Sequence, residues 1–193
     1  MPELSKDDIV RAEILKAAER MFQKWGSNKT TMEDIAREAG KGKSTLYYYY
    51  QSKEEIFDAV VIVEFEKILQ KAKELAQETE TAKERLIKYF VESINEMKSR
   101  TSAYTIIHEE IRRNQNFIKK LRDKFQAREE KYIQEILEFG LKNKEFIFIH
   151  KSEVTTAAKA ITGMMHALEL YLLLENDDTA QIDIAARFIA NGL

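Results

Sequence analysis

The stretch TTMEDIAREAGKGKSTLYYYYQSKEEIF, residues 30–57, decides the fold. Thr31 can cap a helix with Asp34 three positions on, the reciprocal pattern of a capping box. Met32, Ile35, Ala36 and Ala39 then share one face, and Gly40 suits the left-handed residue that closes a helix. A turn over residues 40–42 follows, and a third helix is predicted over about 43–50. Helix, glycine turn and second short helix make a helix-turn-helix. In that motif the second helix offers polar and aromatic side chains to a major groove. Leu46 and Tyr50 lie four apart and can pack inward, which leaves Lys43, Ser44, Thr45, Tyr47 and Tyr48 outward. Lysine neutralises phosphate, and hydroxyl side chains bond phosphates or base edges. Thr31, at a helix N-terminus, and Lys53, at the start of the next helix, are further phosphate sites. From residue 39 to 53 there are three lysines, Lys41, Lys43 and Lys53, and no acid, on a chain of net charge −2. Where charge sits counts for more here than its sum.

Outward from this stretch the pattern stays helical. A first helix is predicted after Ser5, with Asp8 completing a cap and Gly26 ending it. Ile14, Leu15, Ala18, Met21, Phe22 and Trp25 form its apolar stripe, so Trp25 is assigned to the core. A fourth helix starts at Ser52, with Glu55 in capping-box position, and runs to about 77. Thr81 and Glu84 cap the next. Further helices are predicted over 104–111, over 117–139 with a stop at Gly140, from a Ser152 cap, and around Ile182 to Ile189. Residues 146–149 read as a loop packed onto the core. The expectation is an all-α chain of about nine helices. Residues 8–68 would form the DNA-binding domain, with its helix-turn-helix about 31–50, and 69–193 an effector-binding and dimerisation domain.

The run over 30–57, together with AEILKAAERMFQKWG at 12–26, resembles the DNA-binding signature of the TetR family of bacterial regulators. The resemblance covers about residues 8–68. It implies an all-helical, dimeric regulator, most often a repressor that a small molecule releases from a palindromic operator. Carried over by position, it implies DNA contacts at Thr31, Lys43, Ser44, Thr45, Tyr47, Tyr48 and Lys53. The sequence departs from the family pattern at Lys41, Gly42 and Tyr50. Lys41 reads either as an added phosphate contact or as a solvated turn residue.

Composition narrows the function classes. One proline and six glycines in 193 residues favour helices over a many-turned β fold, and 44% hydrophobic residues supply a core. With no cysteine there is no disulfide, thiolate metal site or cysteine nucleophile. No Gly-rich phosphate loop, nucleophile elbow or HExxH pattern supports an enzyme. His108, Glu109 and Glu110 are adjacent on a helix and diverge, so they do not converge on a metal. No cofactor and no metal are expected. The start MPELSKDDIV lacks the apolar run of a signal peptide, and stretches such as 59–63 are too short for a membrane span. A soluble, cytoplasmic protein is expected. The rivals are an effector-independent regulator and a helical protein-interaction module. The acid-free basic stretch argues against the module.

Two further expectations concern the C-terminal part. Large aromatics between 81 and 139 suggest a pocket for a small, mainly apolar effector, lined by Phe90, Tyr104, His108, Phe125, Tyr132 and Met164. The apolar circumference of residues 168–174 suggests a homodimer interface that includes Met165, Leu168, Tyr171, Leu172, Phe188 and Ile189.

Overall fold

The computed structural model describes residues 5–99, 115–175 and 180–193. Among them are eight α-helices and no strand: α1 Lys6–Trp25, α2 Met32–Glu38, α3 Lys43–Tyr49, α4 Lys53–Gln77, α5 Ala82–Ser99, α6 Gln115–Lys142, α7 Val154–Glu175 and α8 Ala180–Asn191. A short 3-10 turn, Lys151–Glu153, precedes α7. The helix expected over 104–111 lies outside the described residues.

The chain divides into two compact units within α4, between Glu66 and Lys67. In the first, α1 packs on α2 and α2 on α3. Ile14, Ala18, Phe22, Ile35, Leu46 and Ile56 fill its interior. The caps form as their chemistry dictates. Ser5 and Asp8 bond reciprocally at the start of α1, and Thr31 and Asp34 do so at the start of α2. At the end of α2, Gly40 takes φ +63°. The Lys41 N–H donates to the Ala36 carbonyl at 2.9 Å and the Gly40 N–H to the Arg37 carbonyl at 3.2 Å, a Schellman closure. Trp25 is half exposed and lies outside the core, with Lys24 against its ring face. Ala17, not Trp25, completes the buried stripe of α1.

In the second unit α5 packs on α6 and α8, and α6 on α7. Tyr89, Phe90, Ile133, Leu137, Ile161, Met165 and Ala186 belong to one continuous core. Two expected boundaries move. Gly140 does not stop α6. The helix runs through it to Lys142, and Lys144, at φ +60°, takes the left-handed closing position. The Glu145 N–H then reaches back to the Gly140 carbonyl at 2.8 Å. Gly140 serves packing instead, since a Cβ there would overlap the buried Phe146 ring and come 2.9 Å from Ala82 Cβ. That closeness lets the Glu145 carboxylate cap α5, accepting the Ala82 N–H at 2.7 Å. Nor does Ser152 cap α7, for it lies inside the 3-10 turn, whose entry is held by the His150 N–H donating to Glu153 Oε2 at 2.8 Å. Of the 146–149 loop, Phe146 is buried, while Ile147 and Phe148 are exposed and donate their N–H groups to the Leu193 carbonyl.

Candidate nucleic-acid interface and ligand cleft

Helix α3 is short and has one buried face. Leu46 is fully buried and Tyr50 nearly so, while Tyr47 is 40% and Tyr48 74% exposed. Lys43 and Ser44 are also exposed and Thr45 is half-buried. The four tyrosines are therefore split. Tyr50 faces inward, Tyr47 and Tyr48 face out, and Tyr49 lies between, its hydroxyl donating to Asp7 at 2.8 Å. Arg11, which sequence reasoning missed, donates to the Tyr49 carbonyl at 3.2 Å and lies over the Tyr49 and Tyr50 rings, tying α3 to α1. Its distance along the chain from the tyrosines left no local signal.

The three lysines of the basic stretch all have partners within the chain. Lys43 pairs with Glu33 of α2, which draws the Glu33 carboxyl below its ordinary range and raises the Lys43 ammonium. Lys41 pairs with Glu13 of α1 at 2.8 Å. Lys53 donates to the Ser27 carbonyl at 2.7 Å, fixing the start of α4 to the turn after α1. Thr31 is exposed, but its hydroxyl donates to Asp34 Oδ2 at 2.6 Å. An ammonium has three donors, so each lysine can hold its partner and still face a phosphate.

The second unit contains an open cleft of about 450 Å³ between the C-terminal half of α4, α5 and α6. Its lining departs from the apolar wall expected. Tyr132 belongs to it, alongside Lys73, Tyr89, Glu129 and Glu135. Phe90 and Phe125 are buried elsewhere in the packing. Phe90 instead borders a gap beside Ile161 and Met165 that has no room for a water. The two adjacent methionines exchange places relative to expectation: Met164 is exposed, and Met165, assigned to the subunit interface, is buried in the chain's own core. Tyr104 and His108 lie outside the described residues. Of the other interface candidates, Tyr171 and Phe188 are exposed, and Leu168 and Ile189 are half-buried against the core. The side chain of Leu172 is outside the described residues.

Beside the cleft lies a group of polar side chains at low exposure, centred on Glu129. Glu129 Oε2 lies 2.8 Å from His166 Nε2, and the Tyr89 hydroxyl donates to Glu129 Oε1 at 3.4 Å. Glu169, also buried, has its carboxyl pushed up to about 8, first by burial and then by the charge of Glu129, with His166 opposing. The signal would have been acids at 129 and 169, each among apolar neighbours on its helix. Among the described residues no group of acids and histidines could hold a metal ion, and no helix is long and apolar enough to cross a membrane.

Comparison with known proteins places this geometry. The family model "Bacterial regulatory proteins, tetR family" matches residues 14–60. The HTH-type transcriptional regulator YhgD of Bacillus subtilis is 39% identical over 61 residues, 32% of each chain. The HTH-type transcriptional repressor KstR2 of Mycobacterium tuberculosis is 29% identical over 103 residues, 53% of this chain and 52% of that one. The chain thus spans about a third of the length of the first of these curated relatives and about half of the second. Two solved structures share the fold over nearly the whole chain. The fatty acid degradation regulator FadR of Bacillus halodurans has a TM-score of 0.68 at 17% identity, covering 99% of this chain and 98% of that one. FadR of Bacillus subtilis, solved in complex with stearoyl-CoA, has 0.66 at 19%, covering 94% and 98%.

Proposed function

The N-terminal helix-turn-helix domain of this chain belongs to the TetR family of bacterial regulatory proteins, and on that premise we propose that the protein is a DNA-binding transcriptional regulator, a repressor released from a palindromic operator by a small molecule. The observation that carries the reading is the outward face of α3. Lys43, Ser44, Tyr47 and Tyr48 are solvent-facing on a helix whose opposite side, Leu46 and Tyr50, is anchored in the core. A core-anchored helix with a cationic, hydroxyl-rich outer face suits major-groove insertion.

The other parts of the proposal follow the same logic. Two-fold symmetric operators need two recognition helices about 34–36 Å apart, hence a dimer. Exposed Met164 and Tyr171 on α7 and exposed Ile184 and Phe188 on α8 supply apolar surface for it. The cleft between α4, α5 and α6 is the effector site. Helix α4 carries Lys53 at its first position and Lys73 in the cleft lining. A ligand that favours one placement of α4 lowers operator affinity by the ratio of its affinities for the two states. A gel shift with DNA flanking the protein's own gene tests the reading. The expected result is a dyad-symmetric site whose affinity falls steeply with salt. No retardation of any selected duplex at micromolar protein would defeat it.

A further inference from the structure

Three polar side chains, each more than nine-tenths buried, line the cleft: Tyr89 at 2%, Glu129 at 4% and Tyr132 at 6% exposure. The Tyr132 hydroxyl is buried with no hydrogen-bond partner among the described residues, so Tyr132 offers the cleft its ring rather than its oxygen. Glu129 is satisfied on one oxygen by His166 at 2.8 Å, but among the described residues its other oxygen receives only the long 3.4 Å bond from Tyr89. A carboxylate oxygen accepts two donors, so the floor of the cleft has spare accepting capacity.

The walls complete the chemistry. The Tyr89 and Tyr132 rings meet edge to face with centroids 4.8 Å apart. The Lys73 ammonium lies 4.4 Å from the Tyr132 ring centroid and 3.8 Å from Glu135. Ring faces attract cations, and here a flexible side chain of the protein already occupies that position. Building on the effector-site reading above, we infer that this cleft binds an organic cation, a protonated amine on an apolar or aromatic body, which takes the place of the Lys73 ammonium over the Tyr132 ring and donates to Glu129. Arg128 and Lys131 stand at the rim, where Arg128 lies over the Phe125 ring. An anion drawn to them would have to lie against Glu129 and Glu135. A volume of about 450 Å³ suits a drug-sized ligand.

The test uses the full-length protein and three probes of one shape: 4-phenylbutylamine, 4-phenylbutanol and 5-phenylvalerate. Titration calorimetry is expected to rank the amine tightest, by about tenfold or more over the alcohol, as charge-assisted hydrogen bonds allow. Glu129→Gln should bring the amine down to the alcohol's affinity, with the variant's fold checked by circular dichroism. Should that variant fail to fold, Lys73→Met decides independently. Removing the resident cation is expected to tighten amine binding several-fold by freeing the Tyr132 face. Tighter binding of the carboxylate, no amine binding at millimolar concentration, or a Lys73→Met variant with unchanged amine affinity would each overturn the inference. Operator release is read separately by gel shift. Amine binding without DNA release would leave the site standing and sink only its role as the effector site.

Discussion

On the proposed reading, the ion pair of Lys43 both holds this lysine ready for DNA and holds it back. Its ammonium is paired with Glu33, and both side chains are more than half exposed, so the pair is weak and breaks readily when a phosphate competes. Without the lysine, one phosphate goes unneutralised and its counterions stay in place. Lys43→Ala should therefore weaken operator binding and flatten the salt dependence by about one unit. Tyr47→Ala should weaken binding without that change of slope. Both variants should keep the wild-type circular dichroism, because neither side chain is in the core. Unchanged operator affinity in both would refute the assignment of α3. The converse substitution is more telling. Glu33→Gln frees Lys43 and removes a negative charge near the proposed DNA-facing surface, so affinity should rise about two- to tenfold at low salt, with the gain vanishing as salt screens it. A fall in affinity would show that Glu33 positions Lys43 rather than restrains it.

At the scale of helices, what was legible in the sequence was whatever is written in neighbouring residues. Ser5–Asp8, Thr31–Asp34 and Thr81–Glu84 are caps three residues apart, and all three form. What failed was what depends on residues far along the chain. Gly140 looks like a stop because glycine usually is one, yet its role is set by Phe146 and Ala82. Gly140→Ala should therefore destabilise the fold by about 1–3 kcal/mol through overpacking, although alanine is the better helix former. An unchanged or raised melting temperature would contradict this. Trp25 and the Met164–Met165 pair failed likewise, since one face of a helix cannot reveal what lies opposite it. The polar group linking α5, α6 and α7 likewise depends on partners far along the chain, and it carries a pH signature. Burial and Glu129 raise the Glu169 carboxyl from its ordinary 4.5 to about 8. The native state therefore holds a proton that the unfolded chain gives up, and stability falls as pH climbs from about 4.5 through about 8. Glu169→Gln removes that dependence. It should stabilise the protein at pH 8.5 relative to wild type, by on the order of a few kcal/mol, and do little near pH 4.5. Parallel melting-temperature profiles for the two proteins across that range would show that the carboxyl does not titrate as described.

For the molecule as a whole, the question is what covers the apolar surface of its last two helices. Phe188 is 77% exposed, and Met164, Tyr171 and Ile184 are each about half exposed. Single exposed apolar residues are ordinary, and four large ones on two helices suit the dimer surface proposed above. The proposed operator reading supplies a candidate, because a two-fold site requires two copies of the same chain. Phe188 offers the cleanest test, since a side chain so exposed contributes little to the fold of one subunit. Phe188→Glu should leave the helical content and melting cooperativity of each chain near wild type. It should convert a dimer to a monomer in sedimentation at micromolar concentration, because burying an unpaired carboxylate against an apolar partner costs several kcal/mol. Operator binding should fall with it, although α3 is untouched. The selected operator should be an imperfect palindrome with half-sites one helical turn apart or a multiple of it. A variant that sediments as wild type and binds DNA equally well would remove Phe188 from the interface. A wild-type protein that is monomeric at these concentrations, on a site without dyad symmetry, would remove the interface itself.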